Sequence, residues 1–109
     1  MKEKEMKAII NGTRYDTEHA TEVGRHEFSN RGDFNYWSAT LYMTPRSGRF
    51  FLAGSGGPMS RYSETIGQNE WSGGSRIDPL TEAQAFEWAQ RYLGTDEVEK
   101  YFADLIEEA

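Results

Sequence analysis

The chain has 109 residues, no cysteine and a formal net charge of -6. That length suits one domain with one modest core, and the lack of cysteine excludes a disulfide framework, a thiol nucleophile and a thiolate metal site. A pI near 4.9 argues against general affinity for nucleic acid, whose phosphates require a basic footprint.

In chain order, residues 1–5 read as a flexible, solvated tail. Met6 can serve as an alternative start, because the patterned sequence begins there, which leaves 6–109 as a single domain. No run is apolar enough for a signal peptide or a membrane-spanning helix, so the cytoplasm is the expected location. Lys7–Ile10, Asn11-Gly12 and Thr13-Arg14-Tyr15 spell a β-hairpin, since Asn-Gly supplies the two positive φ angles of a type I′ turn. Residues 16–20 suit one helical turn capped by Asp16. Thr21–Phe28 alternates loosely, as a half-buried strand does, and 29–33 is loop chemistry.

Residues 34–43 and 49–53 are aromatic and β-favouring runs around a Pro/Gly connection, which predicts a second hairpin at the centre of the sheet. Met59, Tyr62 and Ile66 recur at intervals of three and four, predicting a short helix over 58–66. Residues 68–75 read as a polar loop around Trp71, and Arg76-Ile77-Asp78 as an edge strand before Pro79. Thr81 with Gln84 has capping-box spacing, and Gly94 suits the left-handed position beyond that helix. Asp96 with Glu99 repeats the box for a final helix, with Val98, Tyr101, Phe102, Leu105 and Ile106 as its apolar stripe. The expected fold is α+β: an antiparallel sheet of four to five strands, built from two hairpins and an edge strand, covered on one face by two C-terminal helices.

No assembled catalytic set is visible. His19, Glu22 and His26 would share a face only on a continuous helix, which Thr21, Val23 and Gly24 oppose, so no metal is expected. The glycine runs 54–57 and 72–75 lack the Gly-Lys-Ser/Thr ending of a phosphate loop, and turns explain them. Gly54-Ser55-Gly56 lacks the spacing of a nucleophile elbow. No cofactor is implied, and the chain reads as a non-enzyme.

Charge is unevenly placed. Residues 1–79 hold ten basic and ten acidic side chains, whereas 80–109 hold eight acids against Arg91 and Lys100. At 100° per residue, Asp96, Glu97, Asp104, Glu107 and Glu108 would span one outer face of the last helix, with Glu87–Arg91 and Asp96–Lys100 available as i,i+4 pairs. Glu107 and Glu108 would oppose the helix dipole. Solubility and a frayed end explain this acid in the plainer reading; a basic partner surface that relieves the repulsion explains it in the functional one. A different signal lies mid-chain, where arginines without lysine (Arg49, Arg61 and Arg76 among them) mix with aromatic residues, the usual groups for planar recognition of phosphates or bases. Trp37, Tyr42, Phe50 and Phe51 read as core; Trp71 reads either as a lid over the core or as an exposed binding anchor.

Together MKAIINGTRYD, GDFNYWSATLYMT, RFFLAGSGGP and SGGSRIDPLTEAQAFEWAQRYL resemble small accessory proteins of phages, plasmids and integrative elements. Some proteins of that kind are anti-CRISPR or anti-restriction inhibitors, and the resemblance implies action inside a bacterial host. The leading expectation is thus a non-enzymatic inhibitor whose acidic C-terminal helix, with Trp71, opposes a basic surface of a CRISPR effector or other defence protein. The alternative is an arginine–aromatic module for a nucleotide or single-stranded nucleic acid, using Arg49, Arg61, Trp71 and Arg76. No membrane partner and no direct nucleic-acid binding belong to the leading expectation, and homodimerisation through a strand edge stays open.

Overall fold

Asn11 and Gly12 hold φ angles of 51° and 79°, so the two-residue turn closes β1 (Lys7–Ile10) onto β2 (Thr13–Asp16) with Ile10 opposite Thr13, as the type I′ signature predicts. The structure, a computed structural model, describes residues 6–29, 33–58, 60–67 and 70–109, with backbone alone at 64–67 and 70–72. The predicted turn after β2 is a 3-10 helix, Thr17–His19. Its cap is the Asp16 carboxylate, which shares a 3.0 Å hydrogen bond with His19 Nδ1 and accepts one from the Glu18 N–H. Those two bonds, the His19 one foremost, hold the Asp16 carboxyl below the usual carboxylate range.

β3 (Thr21–Phe28), β4 (Trp37–Met43) and β5 (Phe50–Gly56) follow, then the short strands β6 (Glu64–Gly67) and β7 (Glu70–Ser72), which pair only with each other, and β8 (Gly74–Leu80). The main sheet is antiparallel in the order β3-β4-β5-β8. Its outer strands are therefore β3 and the predicted edge strand β8, whose Pro79 and exposed Arg76 are features that discourage edge pairing. Helices α1 (Glu82–Tyr92) and α2 (Thr95–Phe102) complete the α+β fold.

Strand β5 is apolar at consecutive positions because both of its faces are covered. Phe50 and Leu52, with Trp37, Ala39 and Leu41 of β4, pack under Ala85, Trp88, Ala89, Val98 and Phe102 of the helices. Phe51 and Ala53 face the other way, with Ile77 of β8, onto Tyr15, Ala8 and Ile10 of the first hairpin. Phe51 is fully buried there, 5.4 Å from the Tyr15 ring and 5.3 Å from Tyr42; burying a ring of this size stabilises by about 1.5–3 kcal/mol. The first hairpin thus lies across the sheet as a third layer and adds no strand to it, which corrects its expected place.

Three further expectations change. Residues 60–62 make turns and 64–67 form β6, so no helix runs over the described part of 58–66; Met59 lies outside the described residues. The periodicity there arose from Tyr62, which leaves a turn to lie against Gly54: a Cβ on Gly54 would come within 2.1 Å of the Tyr62 ring. That close approach, and not a turn, explains the glycine, and β5 runs on through Gly56. Trp71 belongs to β7 and not to a loop, and Gln68 and Asn69 lie outside the described residues.

Thr81 caps α1 in a full capping box, accepting from the Gln84 N–H at 3.1 Å while Gln84 Oε1 accepts from the Thr81 N–H at 2.8 Å. Gly94 is not left-handed. The link between the helices is only Leu93 and Gly94, so Gly94 (φ -79°) instead precedes α2 as its cap, and the expected Asp96–Glu99 box does not form.

Candidate functional site

Helix α2 ends at Phe102, a 3-10 turn covers Ala103–Leu105, and no helix continues through Glu107 and Glu108. The continuous acidic face expected from Asp96 to Glu108 is therefore absent. Asp96 and Glu97 sit in the first turn of α2, where the helix dipole favours acid. Asp104, Glu107 and Glu108 would all have opposed the dipole at the other end, with Asp104 and Glu108 repelling each other at i,i+4, and the helix stops before meeting that cost. Asp96, Asp104, Glu107 and Glu108 are exposed; Glu97 is half-buried, folded back towards Gly94.

The chain beyond α2 has a second consequence. Leu105 and Ile106, each more than a third exposed, join Phe86 of α1, Leu93 of the link and Val98 of α2 around an open groove of about 540 Å³. Glu99 and Glu107 stand on its lining. Neither expected ion pair, Glu87–Arg91 or Asp96–Lys100, forms. Arg91 and Lys100 lie instead over their neighbouring tyrosines, 5.6 Å from the centre of Tyr92 and 5.3 Å from that of Tyr101.

A second cluster occupies the helix-covered face of the sheet, where β3, β4 and the turn at 60–62 meet the end of α1. Cross-strand pairing sets His26 opposite Ala39 and Phe28 opposite Trp37. The Trp37 ring is buried, stacked near-parallel to Phe28 (centroids 6.0 Å, 11°) and edge-on to Tyr92 at 5.5 Å. His26 lies 4.8 Å from Tyr92 and 5.6 Å from Trp37. The Arg61 guanidinium rests over Trp37 at 4.1 Å and donates to the Tyr92 hydroxyl at 3.3 Å. Tyr62, just 3% exposed, lies 6.4 Å from Trp37 with the Arg76 guanidinium 5.0 Å from its ring. Burial pushes the Tyr62 phenol above its ordinary value, with Asp78 adding to the rise.

The alternative arginine set is divided by this geometry. Arg49, at the far end of β5, donates to Thr13 Oγ1 at 3.0 Å and holds the first hairpin. Arg76 donates through Nε to both carboxylate oxygens of Asp78 at 2.9 Å. Arg61 alone of the three rests on the aromatic cluster without a carboxylate partner among the described residues. Trp71 lies opposite Thr65 in the β6–β7 ribbon, and its side chain is not among those described. His19 and His26 are far from a shared helical face, one in a 3-10 turn and the other within β3. Among the described residues Asp16, Glu18 and His19 bring ligand-type atoms within 4.8 Å of one another, a grouping that the cap of the 3-10 turn explains.

No family model, curated protein or solved structure matches the chain. No helix among the described residues is long and apolar enough to cross a membrane.

Several residues of these surfaces went unread in the sequence. Val98 reads in the sequence only as part of an apolar stripe and Trp37 only as core, and neither Phe86 nor Leu93 carries a signal of a binding surface. The signal for the second cluster was the alternation Gly24, His26, Phe28, which puts all three on one face of a strand. Gly24 leaves room there for Leu93, whose side chain would stand 2.7 Å from a Cβ at that position.

Proposed function

We propose that this chain acts without catalysis, by binding another protein through the open groove between α1, α2 and the C-terminal segment. The observation that carries this reading is the combination of exposed Leu105 and Ile106 with Glu99 and Glu107 on the same lining. An apolar floor beside acid that has no ion-pair partner among the described residues fits a segment that offers aliphatic anchors flanked by lysine or arginine. Asp96, Asp104 and Glu108 lie outside the groove and add to the field that steers a basic partner towards it. In its specific form, the partner is a basic surface of a CRISPR effector or other nucleic-acid-handling defence complex in the cytoplasm of a bacterial host. Occupying a surface meant for nucleic acid would inhibit that complex.

Cleavage by purified CRISPR effectors and restriction complexes, measured with and without the chain, tests the specific form. Inhibition is expected to weaken about tenfold or more when Glu99→Lys and Glu107→Lys are combined, or when Leu105→Asp breaks the floor. Circular dichroism would show whether each variant keeps its fold. Inhibition that survives both folded variants would remove the groove as the contact; a failure to inhibit any complex would remove the defence partner.

A further inference from the structure

We infer that the arginine–aromatic cluster at the end of α1 is a second binding site, for a mononucleotide: a flat base on the exposed Phe28 ring, which Trp37 backs, and a phosphate held by Arg61 and Arg91. This inference stands independently of the groove. Its first support is electrostatic. The chain carries 18 acidic against 12 basic residues, yet neither Arg61 nor Arg91 has a carboxylate within ion-pair distance among the described residues. Their guanidinium carbons instead lie 5.9 and 5.6 Å from the centre of the same Tyr92 ring. Both cations therefore stand within 6 Å of one ring centre, and an anion bound beside that ring is attracted by each of them. A phosphate monoester carries about -1.5 to -2 at neutral pH, which two guanidiniums match.

The second support is geometric. Arg61 is exposed, yet its fork is held in orientation by the Trp37 ring at 4.1 Å and the Tyr92 hydroxyl at 3.3 Å. Among the described residues only the Tyr92 hydroxyl accepts from it, which leaves most of its N–H groups for oxygens of a planar or tetrahedral anion, the recognition that a pre-oriented guanidinium does best. The third support is the ring beside it. Phe28 is 45% exposed although it stacks near-parallel to Trp37, so an aromatic face is open to a base. The ligand is a single nucleotide because a strand needs a track of cations. Of the other arginines in the alternative set, Arg76 is paired with Asp78 and Arg49 is committed to Thr13.

The test is an NMR titration of the full chain at low ionic strength with adenosine monophosphate, adenosine, inorganic phosphate and a short single-stranded oligonucleotide. Adenosine monophosphate is expected to shift the Trp37 indole N–H saturably, and adenosine or phosphate alone to bind about tenfold more weakly or worse. Arg61→Ala and Arg91→Ala should each weaken adenosine monophosphate about tenfold, and Phe28→Ala by a similar factor, with Arg49→Ala unchanged. Arg61→Lys, which keeps the charge and loses the planar fork, should also weaken it. The inference is overturned if millimolar adenosine monophosphate leaves Trp37 unmoved. It is equally overturned if binding survives Arg61→Ala and Arg91→Ala together in a chain that keeps its circular dichroism. An oligonucleotide that binds more than tenfold tighter than the mononucleotide would replace the single-nucleotide site with a strand-binding one.

Discussion

The last turn of α1, with its cap Leu93, serves two unlike surfaces. Gln90 and Leu93 line the acidic groove, while Arg91 and Tyr92, between them in sequence, belong to the arginine–aromatic cluster. Within one helical turn the chain therefore passes from a surface rimmed by acid to one carrying cation, neither of them ion-paired among the described residues. The obvious neutralising pairs were within reach and were not made. An exposed i,i+4 ion pair is worth about 0.3–0.5 kcal/mol, whereas a cation over an exposed aromatic ring gains about 0.5–1 kcal/mol. With tyrosine adjacent to Arg91 and to Lys100, the ring is the better partner. The carboxylates of Glu87 and Asp96 are left to solvent, and charge stays separated across the molecule.

The largest effect that separates the two surfaces is expected at Phe102, which is 1% exposed and packs 5.1 Å from Phe50 and 5.5 Å from Phe86. Phe102→Ala should cost about 3–5 kcal/mol in urea unfolding. Below the unfolding midpoint the damage should be confined to the groove, with the Trp37 indole N–H resonance in place. If that resonance moves as much as those of Val98 and Leu105, the two surfaces are not separable. Gly54→Ala is the converse and smaller perturbation. Its Cβ would strike the Tyr62 ring at 2.1 Å, and forcing that buried ring aside should cost about 1–3 kcal/mol. Arg61 is the neighbour of Tyr62 in sequence, so the arginine–aromatic cluster should lose its order while the groove resonances stay. An unchanged urea midpoint would mean that Tyr62 is free to yield, contrary to its 3% exposure.

How much of this was legible follows from where the decisive information lies. Asn11-Gly12 and the Thr81–Gln84 box specify their own backbone geometry, so β1–β2 and the start of α1 could be read locally. The run Phe50-Phe51-Leu52-Ala53 announced that both faces of β5 need cover, but nothing in it said that the first hairpin supplies the second cover. Residues 58–66 misled because Tyr62 gained its place from Gly54, a contact across the fold that periodicity does not see. The acidic face failed for a related reason: its arithmetic assumed a helix that its own charges disfavour at that end. Both candidate surfaces are assembled from residues distant in sequence. Arg61 was named from the sequence for its chemistry, while Tyr92, the ring that ties it to α1, became visible only in the fold.

The finest probe of the difference between the surfaces is the Tyr62 phenol, because it belongs to one of them and titrates. Burial, followed by the charge of Asp78, raises its pKa above 10.0, while Arg61 and Arg76 oppose the rise. The folded chain therefore keeps this proton at a pH where the unfolded chain has begun to lose it. The sign follows from linkage: the contribution to stability is fully present below pH 10.0 and is lost as pH rises through the folded value. Melting temperatures followed by circular dichroism from pH 8 to 11 should thus fall more steeply above pH 10 in the native chain than in Tyr62→Phe. Asp78→Asn should shrink the difference, since it removes the charge that adds to the shift, and Glu99→Lys in the groove should leave it unchanged. Parallel curves for the native chain and Tyr62→Phe would show that the phenol is not held by burial, and with it that the turn at 60–62 does not anchor Arg61 on the sheet.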